Sequence, residues 1–180
     1  MTLPPVSGHD TASTSHHHPH HPDTGPTLLA KVLTVSESVS AGTREDRSGE
    51  ALVALLTERG FRVMERRCVP DGVASVAGAL REMAGEFHGL VVTTGGTGFS
   101  PGDLTPEGTR AVIEREAPGL AEATRAVSPL GRLSRGVAGT LGGALVLNVP
   151  GSTSGAIESL EAVIDIVPHA LDLLAGGRPH

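Results

Sequence analysis

From residue 28 onward, short apolar runs alternate with segments whose apolar residues recur at helical spacing, and this alternation restricts the fold more than any other feature. Residues 28–36 (LLAKVLTVS) have the length and composition of a strand. Residues 46–59 place Leu52, Leu55 and Leu56 together and stop at Gly60, as an amphipathic helix does. Residues 61–69 form a charged, edge-type strand ended by Pro70, and 71–86 return to helical spacing through Val73, Val76, Leu80 and Met83. Residues 89–94 (GLVVTT) are a buried strand. Thr105-Pro106-Glu107 opens a helix with a hydroxyl cap, a proline in the first turn and an acid at the positive dipole end. Residues 118–127 and 129–135 read as short helices, 137–140 and 144–149 as a hairpin, and 152–174 as a helix interrupted at Pro168. Strands alternating with helices pair in parallel, because each crossover returns the chain to the same end of the sheet. The expected fold is α/β, a three-layer sandwich with a mostly parallel central sheet.

Residues 1–26 break this pattern. They carry five prolines and the cluster His16, His17, His18, His20 and His21, with no lysine or arginine and little apolar content beyond Leu3 and Val6. Too little can be buried there to offset the entropy of ordering, so a disordered tail (1–26) is expected to precede a domain at 27–180. Clustered imidazoles could chelate a divalent transition metal and deliver it; a merely solvated tail is the plainer reading.

Composition excludes several function classes. The chain has 14 Lys+Arg against 20 Asp+Glu, a formal charge of −6, no Trp, no Tyr and 3 Phe, so neither a basic nucleic-acid face nor a base-stacking platform is expected. No apolar run approaches the roughly 18–20 residues of a membrane span. The single cysteine, Cys68, leaves no internal disulfide or CxxC pair, and no secretory leader is legible, so a cytoplasmic location is expected. What remains is a Gly-rich domain suited to a small molecule.

In open α/β sheets, ligands bind where loops leave the carboxyl ends of strands. Three such ends carry unusual residues: 36–42 (SESVSAG), 93–103 (TTGGTGFSPGD) and 148–153 (NVPGST). Thr94-Gly95-Gly96-Thr97-Gly98 can aim successive N–H groups into one concavity and hold an anion, with the threonines adding hydroxyl donors; the plainer reading is a tight turn. The loop lacks the GxxxxGK[ST] lysine, and the only lysine, Lys31, lies inside an expected strand. Phosphate charge would then fall to arginines, backbone dipoles and magnesium, which takes one or two carboxylates plus phosphate oxygens. Asp71 and Asp103 both stand at strand ends and are the candidate ligands; either alone also reads as a turn or capping aspartate. Arg44, Arg47, Arg132 and Arg135 are the arginines expected nearest. Asp46 reads as a helix cap, Glu122 and Arg125 as a surface ion pair, and His88, His169 and Cys68 as structural.

Taken in order, DRSG (46–49), VPD (69–71), TTGGTG (93–98), DLTPE (103–107), PGLAEATR (118–125), LSR (133–135) and NVPGS (148–152) resemble the MogA/MoaB-type proteins of molybdenum-cofactor biosynthesis. The likeness runs from about residue 28 to 174. It implies a molybdopterin-binding-domain-like α/β fold, usually trimeric, whose active members are molybdopterin adenylyltransferases. Those enzymes use ATP with magnesium to place AMP on the pterin phosphate, releasing pyrophosphate ahead of molybdate insertion. By position, Asp71 and Asp103 match the catalytic aspartates associated with metal and nucleotide. Gly95, Gly96, Thr97 and Gly98 match the phosphate- and pterin-holding loop, Gly151 and Ser152 its other wall, and Ser36 and Thr94 complete the substrate-binding set. Molybdopterin, ATP and a homotrimer are the implied partners, with a molybdate insertase downstream and no tightly bound cofactor. Two departures stand out: Ser36-Glu37-Ser38 where the family often has S-D-R or S-D-S, and Thr153-Ser154-Gly155 where a basic residue is common. They support the alternative of a weak or inactive molybdopterin-binding homologue.

Overall fold

The computed structural model describes residues 27–178, so the expected tail lies outside the described residues. Its strands are β1 (Leu29–Val35), β2 (Arg62–Val69), β3 (Gly89–Thr94), β4 (Arg115–Glu116), β5 (Ala138–Leu141) and β6 (Ala144–Val149). They form one sheet in the order β2-β1-β3-β6-β5-β4. The first four in that order pair in parallel, and β5 and β4 close the far edge antiparallel. β2 is an edge strand, as its charge pattern implied.

Successive side chains of a strand point to opposite faces, so the central strands feed two cores. Ala30, Val32, Leu90, Val92, Leu145 and Leu147 face one layer; Leu33, Val35, Val91 and Val146 face the other. The first layer is α2 (Arg47–Glu58), α5 (Pro118–Ala126), α6 (Thr153–Glu161) and α7 (Val167–Leu174), which contribute Leu52, Leu56, Ala121, Leu160 and Val167. The second is α3 (Val73–Ala84), contributing Val76, Leu80 and Met83, with α4 (Thr105–Arg110) packed against it. Each fully buried Leu or Val is worth about 1.5–3 kcal/mol, and these two layers therefore hold the sandwich together.

Local departures from the sequence reading have physical causes. The loop after β1 contains a one-turn helix, α1 (Glu37–Ser40), capped by Ser36, whose Oγ accepts the Val39 N–H at 3.4 Å. The break in the last helical segment comes at 162–166, before Pro168, which sits in the first turn of α7, where its missing N–H needs no partner. Thr105 is not a cap: it is the first residue of α4, and its buried hydroxyl makes no hydrogen bond among the described residues. Residues 129–133 form a 3-10 turn. β4 has no apolar signature and was not expected. Lys31 is occupied within the fold: its ammonium donates to the Met83 carbonyl at 2.8 Å, pairs with Glu65 at 3.4 Å and lies 4.4 Å from the Phe87 ring centre. Among the described residues, no helix is long and apolar enough to cross a membrane.

Candidate active site

The chain leaves β1 for β2 on one side and returns to β3 on the other, so the topological switch point lies between β1 and β3. Register keeps the strand ends level there, with Thr34 opposite Thr94, Thr94 opposite Val149 and Val35 opposite Val69. Four loops therefore start at one height around one cleft. Its smaller compartment, a cavity of about 410 Å³, is lined by Ser36, Asp71, Thr94, Gly95, Gly96, Asp103, Gly151 and Ser152, together with Thr34, Val35, Arg44 and Ser48. A wider compartment of about 570 Å³ shares Arg44, Ser48, Gly151 and Ser152 with it and adds Val39, Glu45, Asp46, Arg47 and Thr153.

The floor is peptide. Gly95 (φ +99°) and Gly96 (φ +61°) sit in the left-handed region, where a side chain is strained, and space is denied as well. A Cβ on Gly95 would strike the Val35 carbonyl; one on Gly96 would strike Thr105 Oγ1, with Asp71 Oδ1 3.3 Å away. Gly95 donates its N–H to the Val149 carbonyl at 3.3 Å, whereas the N–H groups of Gly96, Thr97 and Gly98 meet no acceptor among the described residues. Thr94 departs from expectation in one respect: its hydroxyl donates to the Pro150 carbonyl at 2.7 Å, tying two loops together instead of facing a ligand.

Both aspartates are partly committed. Asp71 Oδ2 accepts the Glu37 N–H at 2.9 Å, joining the end of β2 to α1. Asp103 Oδ2 accepts the Ser100 N–H at 2.8 Å and closes the turn before α4. Among the described residues, each keeps its Oδ1 free of protein hydrogen bonds. Among the same residues no group of three His, Cys, Asp or Glu converges as a metal cage. The donor set instead fits a hard cation that brings phosphate oxygens with it.

Thr97 and Gly98 do not line the cleft. The Thr97 carbonyl accepts from the Arg135 N–H at 2.8 Å and the Gly98 carbonyl from Arg135 Nε at 2.7 Å. Arg135 also donates to the Asp103 carbonyl and to the Glu107 carboxylate. That charge-assisted bond holds the Glu107 carboxyl below its ordinary pKa. Arg135 is thus the clamp of the glycine loop. Arg44 and Arg47 reach the cleft as expected, but Arg132 lies in a separate cavity with Glu122 and Arg125. Arg125 donates to the Gly136 carbonyl at 2.8 Å, and no ion pair joins it to Glu122 among the described residues.

Two supporting residues escaped the sequence reading. Asp46, beyond capping α2 through the Gly49 N–H (2.9 Å), accepts from Thr34 Oγ1 at 2.8 Å and Arg66 Nε at 3.1 Å, fixing the wall between the compartments. Buried Asn148 donates to Thr93 Oγ1 (2.9 Å) and Thr109 Oγ1 (3.0 Å) and accepts the Val137 N–H, joining β3, β6 and α4. A lone amide inside the apolar run ALVLNV was the available signal. Cys68 is half-buried, and burial, followed by the nearby Asp46 charge, pushes its thiol pKa up, which suits a structural role.

Residues 31–169 match the family described as a probable molybdopterin binding domain. A molybdopterin adenylyltransferase of Helicobacter pylori strain J99 is 37% identical over 157 residues, spanning 83% of this chain and 89% of that protein. A molybdenum cofactor biosynthesis bifunctional protein of Synechococcus elongatus is 33% identical over 164 residues, 86% of this chain and 51% of that one. The crystal structure of the molybdopterin biosynthesis enzyme MoaB of Thermus thermophilus superposes with a TM-score of 0.79 at 44% identity, covering 85% of this chain and 99% of that one.

Proposed function

This chain belongs to the molybdopterin-binding domain family, and from that premise we propose that it acts in molybdenum cofactor biosynthesis as a molybdopterin adenylyltransferase. A bond forms between the pterin phosphate oxygen and the α-phosphorus of ATP, the α–β P–O bond breaks, and pyrophosphate leaves. The pterin phosphate is already a nucleophile, so no activated side chain is required, in keeping with a shielded Cys68. Catalysis then rests on alignment and on neutralising charge at the phosphoryl group. The unspent N–H of Gly96 holds a phosphate oxygen, while Gly151 and Ser152 form the facing wall. Asp71 and Asp103 would hold the magnesium that accompanies ATP. When bound, that ion supplies charge neutralisation at the phosphates.

One observation carries the reading: Asp71 and Asp103 line the same cavity as the Gly95–Gly96 backbone and Gly151–Ser152. Incubation with molybdopterin, ATP and magnesium is expected to release pyrophosphate, and Asp103→Ala to abolish release while the fold is retained, at a cost of about 1 kcal/mol for the lost Ser100 bond. Normal turnover in that variant removes the assigned role. The second reading, a pterin binder without catalysis, is favoured by the Ser36-Glu37-Ser38 and Thr153-Ser154-Gly155 departures. Calorimetry showing pterin binding without Mg-ATP binding would select it.

We further infer a cytoplasmic homotrimer. The exposed Phe99, Leu130 and Leu133 support a face covered by other copies, and equilibrium sedimentation tests it. Transfer of the product to a molybdate insertase is supported by the half-length match to a bifunctional relative.

A further inference from the structure

On the adenylyltransferase reading the smaller compartment receives a polyanion, yet it presents two carboxylates, Asp71 and Asp103, and a single cationic side chain, Arg44. Two other arginines near the cleft are engaged, Arg135 by Glu107 and loop carbonyls and Arg66 by Asp46, and Arg47 lines only the other compartment, 3.5 Å from an equally exposed Glu45. Arg44 has no carboxylate partner among the described residues; its guanidinium makes one long hydrogen bond, from Nη2 to Ser36 Oγ at 3.4 Å. Its loop is tied only to itself: the Arg44 N–H and the Thr43 N–H and hydroxyl all donate to the Ser38 carbonyl. It also stands at the seam, as one of four residues lining both compartments.

We propose that Arg44 grips the phosphoryl group lying between the two compartments, the nucleotide's α-phosphate, which in the product forms the diphosphate link with the pterin phosphate. The assignment rests on the adenylyltransferase reading for the identity of that phosphate. A planar guanidinium with unspent donors takes two phosphate oxygens at once, which an ammonium cannot do. At the seam it meets the anion whichever compartment the nucleoside occupies, and it offsets the two aspartates where phosphate must approach them.

The test compares AMP with adenosine, because the difference between them is the phosphate. Calorimetry is expected to show AMP binding the wild-type protein about tenfold or more tighter than adenosine, in line with a charge-assisted bidentate contact. Arg44→Gln should erase that preference and leave adenosine affinity unchanged. Arg44→Lys should restore only part of it, and Arg132→Gln, in the separate cavity, should keep it whole. In the turnover assay Arg44→Gln should lower kcat more than it raises the KM for ATP, a split that a structural role would not produce. The proposal is overturned if Arg44→Gln keeps the AMP preference, or if the wild-type protein shows none. A retained, Arg44-dependent preference in a protein that releases no pyrophosphate would sink the adenylyl-transfer reading and leave the phosphate grip standing.

Discussion

The loop that leaves β3 and the loop that leaves β1 face each other across the cleft, and they are held by different means. The first is clamped from below: Arg135 engages Thr97, Gly98, Asp103 and Glu107, and the Thr105 N–H donates to the Gly96 carbonyl at 3.1 Å. The second rests on short-range contacts, the Ser36 cap and the Thr43–Ser38 bond, plus Asp71 at the Glu37 N–H, and α1 buries no residue. One side of the cleft is a fixed floor; the other is a wall with few anchors, the kind of segment that opens at low cost. Arg44 rides on the wall, so the cation can adjust to a ligand that the floor has positioned.

The sharpest way to break this contrast is to add one methyl group to each loop. Gly95→Ala places a Cβ against the Val35 carbonyl at a positive φ, and urea denaturation should show a loss of about 3 kcal/mol or more. Gly42→Ala, at φ +73° with nothing within 4 Å, should cost only about 1–2 kcal/mol. Equal costs would mean that the two loops are not differently held.

Next in size is Arg135→Ala, which strands Glu107 and the carbonyls of Gly98 and Asp103 and leaves the backbone bond to Thr97 in place. A loss of about 1–3 kcal/mol is expected, with a matching fall in turnover. Thr105→Val is expected to go the other way. It removes a hydroxyl that is buried without a partner among the described residues, so stability should hold or rise by about 1 kcal/mol. A clear destabilisation would show that the hydroxyl has a partner in solution.

The pH dependence of the floor has a definite sign. The Glu107 carboxyl is held below its ordinary pKa by Arg135, so the folded protein binds its proton less readily than the unfolded chain does. That contribution is complete above the unfolded value, about 4.3, and is lost as pH falls through the lower folded value. The melting-temperature gap between wild type and Glu107→Gln should therefore be constant near neutrality and close below about pH 4. The smallest effect is chemical: with its thiol pKa raised, Cys68 should alkylate more slowly at pH 7.5 than a free thiol, and a rate equal to glutathione's would contradict its burial.

The strands and long helices were legible because they bury whole faces, and burial writes itself into period two or period 3.6. β4 was not, since Arg115 and Glu116 pair at an edge and bury nothing. Pro168 misled because proline breaks a helix interior and begins a helix equally well, and only the break at 162–166 separates the two cases. Around the cleft, the residue types at the strand ends were readable, whereas their division of labour was not. Arg135 and Arg44 look alike in a sequence. Which one meets carbonyls and which faces open space depends on how separate loops converge. Arg132 was misplaced for the same reason, carried away by the 3-10 turn at 129–133.

A binding floor made of main chain has its own genetics. Short of proline, no amino-acid change can delete a peptide N–H, so the floor at Gly95 and Gly96 fails by acquiring atoms, not by shedding them. Alleles at Gly95 and Gly96 should then be all or nothing, while those at Ser36, Arg44 and Ser152 should form a graded series. A saturation screen of this cleft would sort its positions into those two classes without any assay of chemistry.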